Sequence, residues 1–139
     1  DGGHKEGFAL SGLTPKQIRQ QMDMMESFGA KGRMFVGWIK SGTNSAQALT
    51  FGYVACMMAG GPNTYCEFTD EIPAIEAIQF DPGIPQGHYV TLPVGETDLN
   101  KLVYKRTWSR RDMYLNPTTA PITVDGVAVP AGTGLVLPR

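Results

Sequence analysis

The chain has 139 residues, of which 42% are hydrophobic and 18% are charged, and its formal net charge is −1. This length fits one domain, the apolar content is sufficient for a packed core, and the small net charge excludes a general polyanion binder. No apolar run approaches the roughly 18 residues that cross a bilayer. The sequence contains no cofactor or catalytic motif, so we expect neither a cofactor nor a metal.

The start of the sequence and its lack of linkers suggest the domain organisation. The chain starts with Asp1 rather than Met, which indicates a processed protein, and residues 1–12 are predicted to form a flexible polar tail. The sequence contains neither an internal repeat nor a linker. Residues 13–139 are therefore predicted to form a single globular domain.

Residues 15–28 carry the signals of an amphipathic helix. Thr14 is a good N-cap, Pro15 suits the first helical position, and Gln17 completes a capping box with Thr14. Apolar residues then recur at helical spacing from Ile18 to Phe28. Gly29 is expected to supply the left-handed residue that ends the helix.

Most of the remaining chain has the composition of short strands. The 17 glycines and 10 prolines favour turns over a helical bundle. Residues 48–58 are uncharged, and periodicity alone leaves strand and helix open, although their aromatic and β-branched residues favour a strand paired with 33–40. Asp125-Gly126, between two β-branched runs, predicts a hairpin. The strand candidates are 33–40, 48–58, 64–68, 74–80, 88–92, 101–108, 113–115, 122–129 and 134–137.

These patterns together predict the fold class. We expect an α+β protein, mainly β, with one N-terminal helix packed on an antiparallel sheet or sandwich of seven to nine short strands.

The two cysteines, Cys56 and Cys66, are separated by a Gly-Gly-Pro turn that could bring them together in a hairpin. A disulfide is expected, and it would place the protein in an oxidising, extracytoplasmic setting: secreted, on a cell surface or in a virion. The alternative is two buried free thiols in a cytosolic domain. A zinc site is not expected, because His4 and His88 lack a matching spacing.

Charge is segregated along the sequence. Residues 41–100 contain seven acidic residues and no Lys or Arg, whereas residues 101–139 contain six basic and two acidic residues. One interpretation is that strands from the two segments pair within one subunit. The other is that an acidic face of one copy meets a basic face of the next, since complementary charge selects partners and fixes their register.

Residues 101–111 interleave basic and aromatic side chains. In a strand, Tyr104, Arg106, Trp108 and Arg110 would share one face, with Arg111 beside them, and this face is the candidate for binding or subunit contact. The same pattern is found in cross-strand ladders in which Arg side chains cover aromatic rings. Contact with a nucleic acid or a glycan is a further alternative.

His88 is the one histidine outside the tail. It could act as a general acid beside Arg106 and Arg110, as in small ribonuclease-like toxins. However, no Glu or Lys lies at a sequence spacing from His88 that would indicate a second acid–base group, and a histidine next to a turn is more often structural. We therefore expect no catalytic residue, although an enzyme is not excluded.

The helix-then-strand order and the segregated charge resemble, in general architecture, pilin head domains and phage capsid decoration proteins. The resemblance implies a non-enzymatic structural subunit that assembles with copies of itself or coats a larger extracellular, surface or virion assembly. The first alternative is a secreted ribonuclease or toxin domain using His88, Arg106 and Arg110. The second is a glycan-binding module using Tyr104 and Trp108.

Overall fold

The computed structural model describes residues 2–9, 12–39, 45–68 and 81–139. Within these ranges the chain is a mixed α+β protein with two α-helices and nine strands. In chain order, the elements are β1 (Gly3–Glu6), α1 (Pro15–Ala30), β2 (Phe35–Ile39), α2 (Ala46–Ala59), β3 (Thr64–Phe68), β4 (Val90–Leu92), a short 3-10 helix (Leu99–Lys101), β5 (Val103–Thr107), β6 (Arg111–Asn116), β7 (Ile122–Val124), β8 (Val127–Val129) and β9 (Thr133–Pro138).

The helix predicted at 15–28 is α1, and its start is confirmed in detail. The Thr14 side chain accepts a hydrogen bond from the Gln17 backbone N–H, while the Gln17 side chain accepts one from the Thr14 N–H. Its end differs from the prediction. Gly29 lies within the helix, and the left-handed residue is Gly32, with φ 65°. The helix is two residues longer than predicted because Gly32, rather than Gly29, adopts the left-handed conformation, which costs a glycine no steric strain.

The strand prediction for 48–58 is wrong, because these residues form most of α2. Ser45 caps the helix by accepting a hydrogen bond from the Ala48 N–H. Apolar residues cover nearly the whole circumference, which is typical of a helix buried on all sides. The local β preference is overridden because α2 connects two parallel strands, and such a connection requires a crossover.

The N-terminal sheet has the order β1–β2–β3, and both strand pairs are parallel. This corrects the expectation of an entirely antiparallel arrangement and of a hairpin between 33–40 and 48–58. Residues 3–6, assigned to the tail from the sequence, form β1, and Phe8 is fully buried in the core. The strand predicted at 74–80 lies outside the described residues.

The C-terminal sheet has the order β4–β5–β6–β9 and is antiparallel, as expected. The hairpin predicted around Asp125-Gly126 is confirmed, since it joins β7 and β8 with φ values of 52° and 76° at its two turn residues. This hairpin packs on one face of the C-terminal sheet through a cluster that includes Val103, Tyr114 and Val129.

Two glycines allow α2 to lie close to both sheets. A Cβ added at Gly52 would be 2.5 Å from the Ile39 side chain of β2, and one added at Gly134 of β9 would be 2.8 Å from Val54 of α2. Because α2 touches both sheets through these contacts, the main hydrophobic core contains residues of both helices and of both sheets.

Candidate functional site

The basic and aromatic side chains of β5 do share a face, but this face is buried. Tyr104 is completely buried, Arg106 is 7% exposed and Trp108, just after β5, is 8% exposed. The face turns towards the helices because Tyr104 and Trp108 belong to the core that contains α1 and α2. Three of the five predicted contact residues therefore lie inside the subunit rather than on its surface.

Arg106 binds the carboxyl end of α2. Its Nη1 donates to the backbone oxygens of Met57, Met58 and Gly60 at 2.9, 2.9 and 2.7 Å, and its Nε donates to the Gly87 oxygen at 3.0 Å. The last carbonyls of a helix lack partners within the helix and carry partial negative charge. Arg106 thus supplies both donors and a positive charge at this end, while burial lowers the pKa of its guanidinium.

Tyr104 and Trp108 are held by aromatic and cationic neighbours. The Tyr104 ring meets the Tyr89 ring edge-on at 5.5 Å, and the Arg19 guanidinium lies 5.9 Å from the Tyr104 ring centroid. Burial raises the pKa of both tyrosines above the ordinary value. The Arg106 guanidinium lies 5.1 Å from the centre of the Trp108 indole. The Tyr104 and Trp108 rings are thus each in contact with an arginine of the same subunit.

The other two predicted contact residues lie apart from this buried group. Arg110 is 68% exposed and forms an ion pair with Asp81 at 3.1 Å. Arg111 is half-buried at the start of β6, where it is opposite Pro138 of β9. Asp98 and Lys101 also pair, at 3.8 Å. Two acidic residues of the 41–100 segment thus pair with basic residues of 101–139 inside one subunit.

His88 lies at the mouth of an open cleft. It is 90% exposed, and its Nδ1 is 3.6 Å from Oε1 of Glu26 on α1. Asp23, Ser27 and Arg106 line the same cleft, whereas Arg110 is not among the lining residues. The sequence analysis missed Glu26, because 62 positions separate it from His88 and no local pattern connects a half-buried helix position with a turn.

The disulfide between Cys56 and Cys66 is confirmed. It joins α2 to β3 with a Cα–Cα distance of 6.3 Å, rather than two strands of a hairpin. A cavity of about 330 Å³ lies against this bond and is also lined by Arg106 and Trp108. Among the described residues, no group of three or more His, Cys, Asp or Glu is placed to hold a metal ion.

A second aromatic surface was missed from the sequence. Phe35, Gly37 and Ile39 of β2 face the helices, so Val36 and Trp38 project from the opposite side, which we call the outer face. The register places Tyr65 beside Val36 and Glu67 beside Trp38, and the His4 ring lies 5.7 Å from that of Trp38. Tyr65 is 56% exposed. Neither described helix covers this face, because both pack on the other side of β2.

The comparisons with known proteins give no family. No protein-family model matches the chain, and no curated protein is similar to it. Its function therefore has to be inferred from the residues themselves.

Proposed function

We propose that the protein is a non-enzymatic structural subunit that assembles with copies of itself through the outer face of the N-terminal sheet. The observation that carries this proposal is that the described helices cover only one side of a parallel sheet. Parallel sheets are nearly always covered on both faces. The outer face has the composition of a contact surface, since aromatic residues are enriched at interfaces.

The same chain offers a second apolar surface for the copy to use. Large exposed apolar residues of the described chain include two groups: Met34 and Tyr65 at the N-terminal sheet, and Val90 and Val94 at or near β4, whereas Ile84 lies apart, beside Ser109 beyond the other end of β5. We call the second group the β4 patch. Two different patches on one chain suit a head-to-tail contact, which propagates through successive copies. Glu67 adds an acidic group to the outer face.

The disulfide is consistent with an extracytoplasmic setting for such a subunit. Neither described helix is long and apolar enough to span a membrane. We therefore extend the proposal to assembly with partners at a cell surface or in a virion.

Sedimentation velocity of three variants tests the contact. Tyr65→Lys places a charge on the outer face and Val94→Lys places one on the β4 patch. Thr123→Lys, at an exposed position of β7, is the matched control. We expect the wild type and the control to form large species as concentration rises, and each patch variant alone to remain a monomer.

Mixing the two patch variants distinguishes head-to-tail from symmetric contact. Tyr65→Lys retains the β4 patch and Val94→Lys retains the outer face, so an equimolar mixture should form a dimer and nothing larger. A wild type that stays monomeric at high concentration would reject the proposal. Dimers of Val94→Lys alone would indicate a symmetric contact through the outer face instead.

A second candidate, a ribonuclease-like activity, is favoured by the His88–Glu26 pair. A carboxylate and an imidazole in one cleft can act as base and acid in phosphodiester cleavage. Nε and Nη1 of Arg106 already donate to backbone oxygens, so Arg106 has fewer donors for a phosphate than the sequence suggested. RNA cleavage that is lost in both His88→Ala and Glu26→Gln would establish this activity, and absence of wild-type cleavage would exclude it.

A further inference from the structure

The cavity beside the disulfide is apolar except at one end. It has a volume of about 330 Å³, at the small end of the range for ligand pockets. No carboxylate is among its lining residues in the part of the chain that is described. The lining residues that bear on binding are Met57, Pro85, Arg106 and Trp108, next to the Cys56–Cys66 bond.

Among the described lining residues, Arg106 supplies the one charged group, and one of its guanidinium nitrogens donates to none of the described residues. Its Nε and Nη1 donate to backbone oxygens, but Nη2 makes no hydrogen bond to the described residues. No carboxylate oxygen of those residues lies within ion-pair distance of the guanidinium. Glu26, which lines the neighbouring cleft, is the acid whose charge acts on it from farther away. Buried charges are normally paired.

The wall next to this cation is aromatic and rigid. The Trp108 indole lies against the guanidinium and is fixed by burial in the core. Trp108 is joined to Pro85 by an isolated β-bridge, which places both residues on the cavity wall. A planar apolar group is the shape that such a wall accommodates.

We propose that this cavity binds a small aromatic carboxylic acid. The carboxylate accepts a hydrogen bond from Nη2 of Arg106. Nε and Nη1 of the same guanidinium keep their hydrogen bonds to backbone oxygens. The aromatic ring packs against Trp108, Pro85 and Met57. A neutral ligand of the same shape leaves the positive charge unpaired, so charge-assisted hydrogen bonding provides the selectivity.

Nuclear magnetic resonance of the intact ¹⁵N-labelled protein tests the site with two matched probes, phenylacetate and phenylacetamide. Trp108 lines the cavity and Trp38 lies on the outer face, so their two indole N–H signals serve as reporter and internal control. We expect phenylacetate to shift the Trp108 signal saturably, with Trp38 unchanged. Phenylacetamide should bind at least about tenfold more weakly, because its amide carries no charge. Equal binding of the two probes, or no saturable shift at Trp108, would overturn the proposal.

A variant pair locates the binding group. Arg106→Lys keeps the charge but removes the second terminal nitrogen, and Arg110→Lys makes the same change at an exposed arginine. Phenylacetate should bind about tenfold more weakly to Arg106→Lys and unchanged to Arg110→Lys. Unchanged affinity in a folded Arg106→Lys would contradict the site. If that variant does not fold, the comparison of the two probes on the wild type still decides.

Discussion

The two sheets of this protein are covered in opposite ways. The C-terminal sheet is antiparallel, and antiparallel sheets commonly leave one face to solvent, yet α2 packs on one side and the β7–β8 hairpin on the other. The N-terminal sheet is parallel, a type that is usually covered on both faces, yet the described helices cover only one. The departure from the usual pattern lies in the N-terminal sheet, and the proposed contact surface is there.

The tryptophans in or next to β2 and β5 show what determines whether such a residue is buried. Both strands alternate in the same way, so the sequence alone makes Trp38 and Trp108 equivalent. Trp108 is buried because α2 ends against this face of β5, where Arg106 donates hydrogen bonds to the last carbonyls of the helix. Trp38 remains half-exposed because both helices lie behind its strand. The position of the helices, rather than the strand pattern, determines which of the two faces is buried and which is half-exposed.

The largest effect is expected at Arg106. Replacing it with Met removes the buried charge and leaves the carbonyls of Met57, Met58 and Gly60 without their donor. Since hydrogen bonds to charged groups contribute about 1.5–3 kcal/mol, we expect a loss of about 3 kcal/mol in the free energy of unfolding. Urea denaturation measures it. The control Arg110→Met should change stability by at most about 0.5 kcal/mol, and an equal loss in both variants would contradict the buried role.

Removal of the disulfide should have the next largest effect. Replacing Cys56 and Cys66 with Ala removes a link that closes a ten-residue separation, which the chain-entropy model values at about 2–3 kcal/mol. The loss should appear as a lower urea midpoint. Intact mass after alkylation without reductant provides the check on the wild type: two alkylated thiols would show that the bond is absent.

Two helical glycines should respond with opposite sign to the same substitution. In Gly52→Ala the new Cβ meets Ile39, which is buried and branched, so overpacking should cost about 1–2 kcal/mol. Gly29→Ala places its Cβ where no atom lies within 4 Å and should stabilise by about 0.5–1 kcal/mol. Thermal denaturation compares them. Stabilisation in both would show that α2 does not approach β2 closely.

The buried tyrosines should produce a smaller loss of stability at alkaline pH. Burial raises the pKa of Tyr104 in the folded state, so above about pH 10 the unfolded chain releases this proton first and stability falls as pH rises. The decline should begin near pH 10 and continue until the pH reaches the raised pKa of the folded state. Urea denaturation at several pH values should show that the free energy of unfolding declines less steeply with pH in Tyr104→Phe. An unchanged decline would indicate that Tyr104 is not the group responsible.

The sequence predicted the elements whose signals are local. The capping box of Thr14 and Gln17, the Asp125-Gly126 hairpin and the Cys56–Cys66 bond all depend on residues within about ten positions of one another, and each was found. Residues 48–58 were predicted wrongly because their β-branched and aromatic composition describes a buried segment rather than a particular secondary structure.

The site was only partly predictable for a related reason. Tyr104, Arg106 and Trp108 were identified together because a strand alternates with period two. That the face points inward depends on the end of α2, nearly fifty positions earlier in the chain. The partnership of His88 with Glu26 and the outer face around Trp38 likewise arise from tertiary packing, for which a single sequence has no local signal.

We propose that the outer face, and not the face of β5, makes contact with other copies. Hydroxyl-radical footprinting of the wild type over a range of protein concentrations compares the two faces in one sample. We expect the oxidation of Trp38 and Tyr65 to decrease as concentration rises, while Tyr104 and Trp108 remain unreactive throughout. Oxidation of Trp38 and Tyr65 that is independent of concentration in a sample that assembles would contradict it.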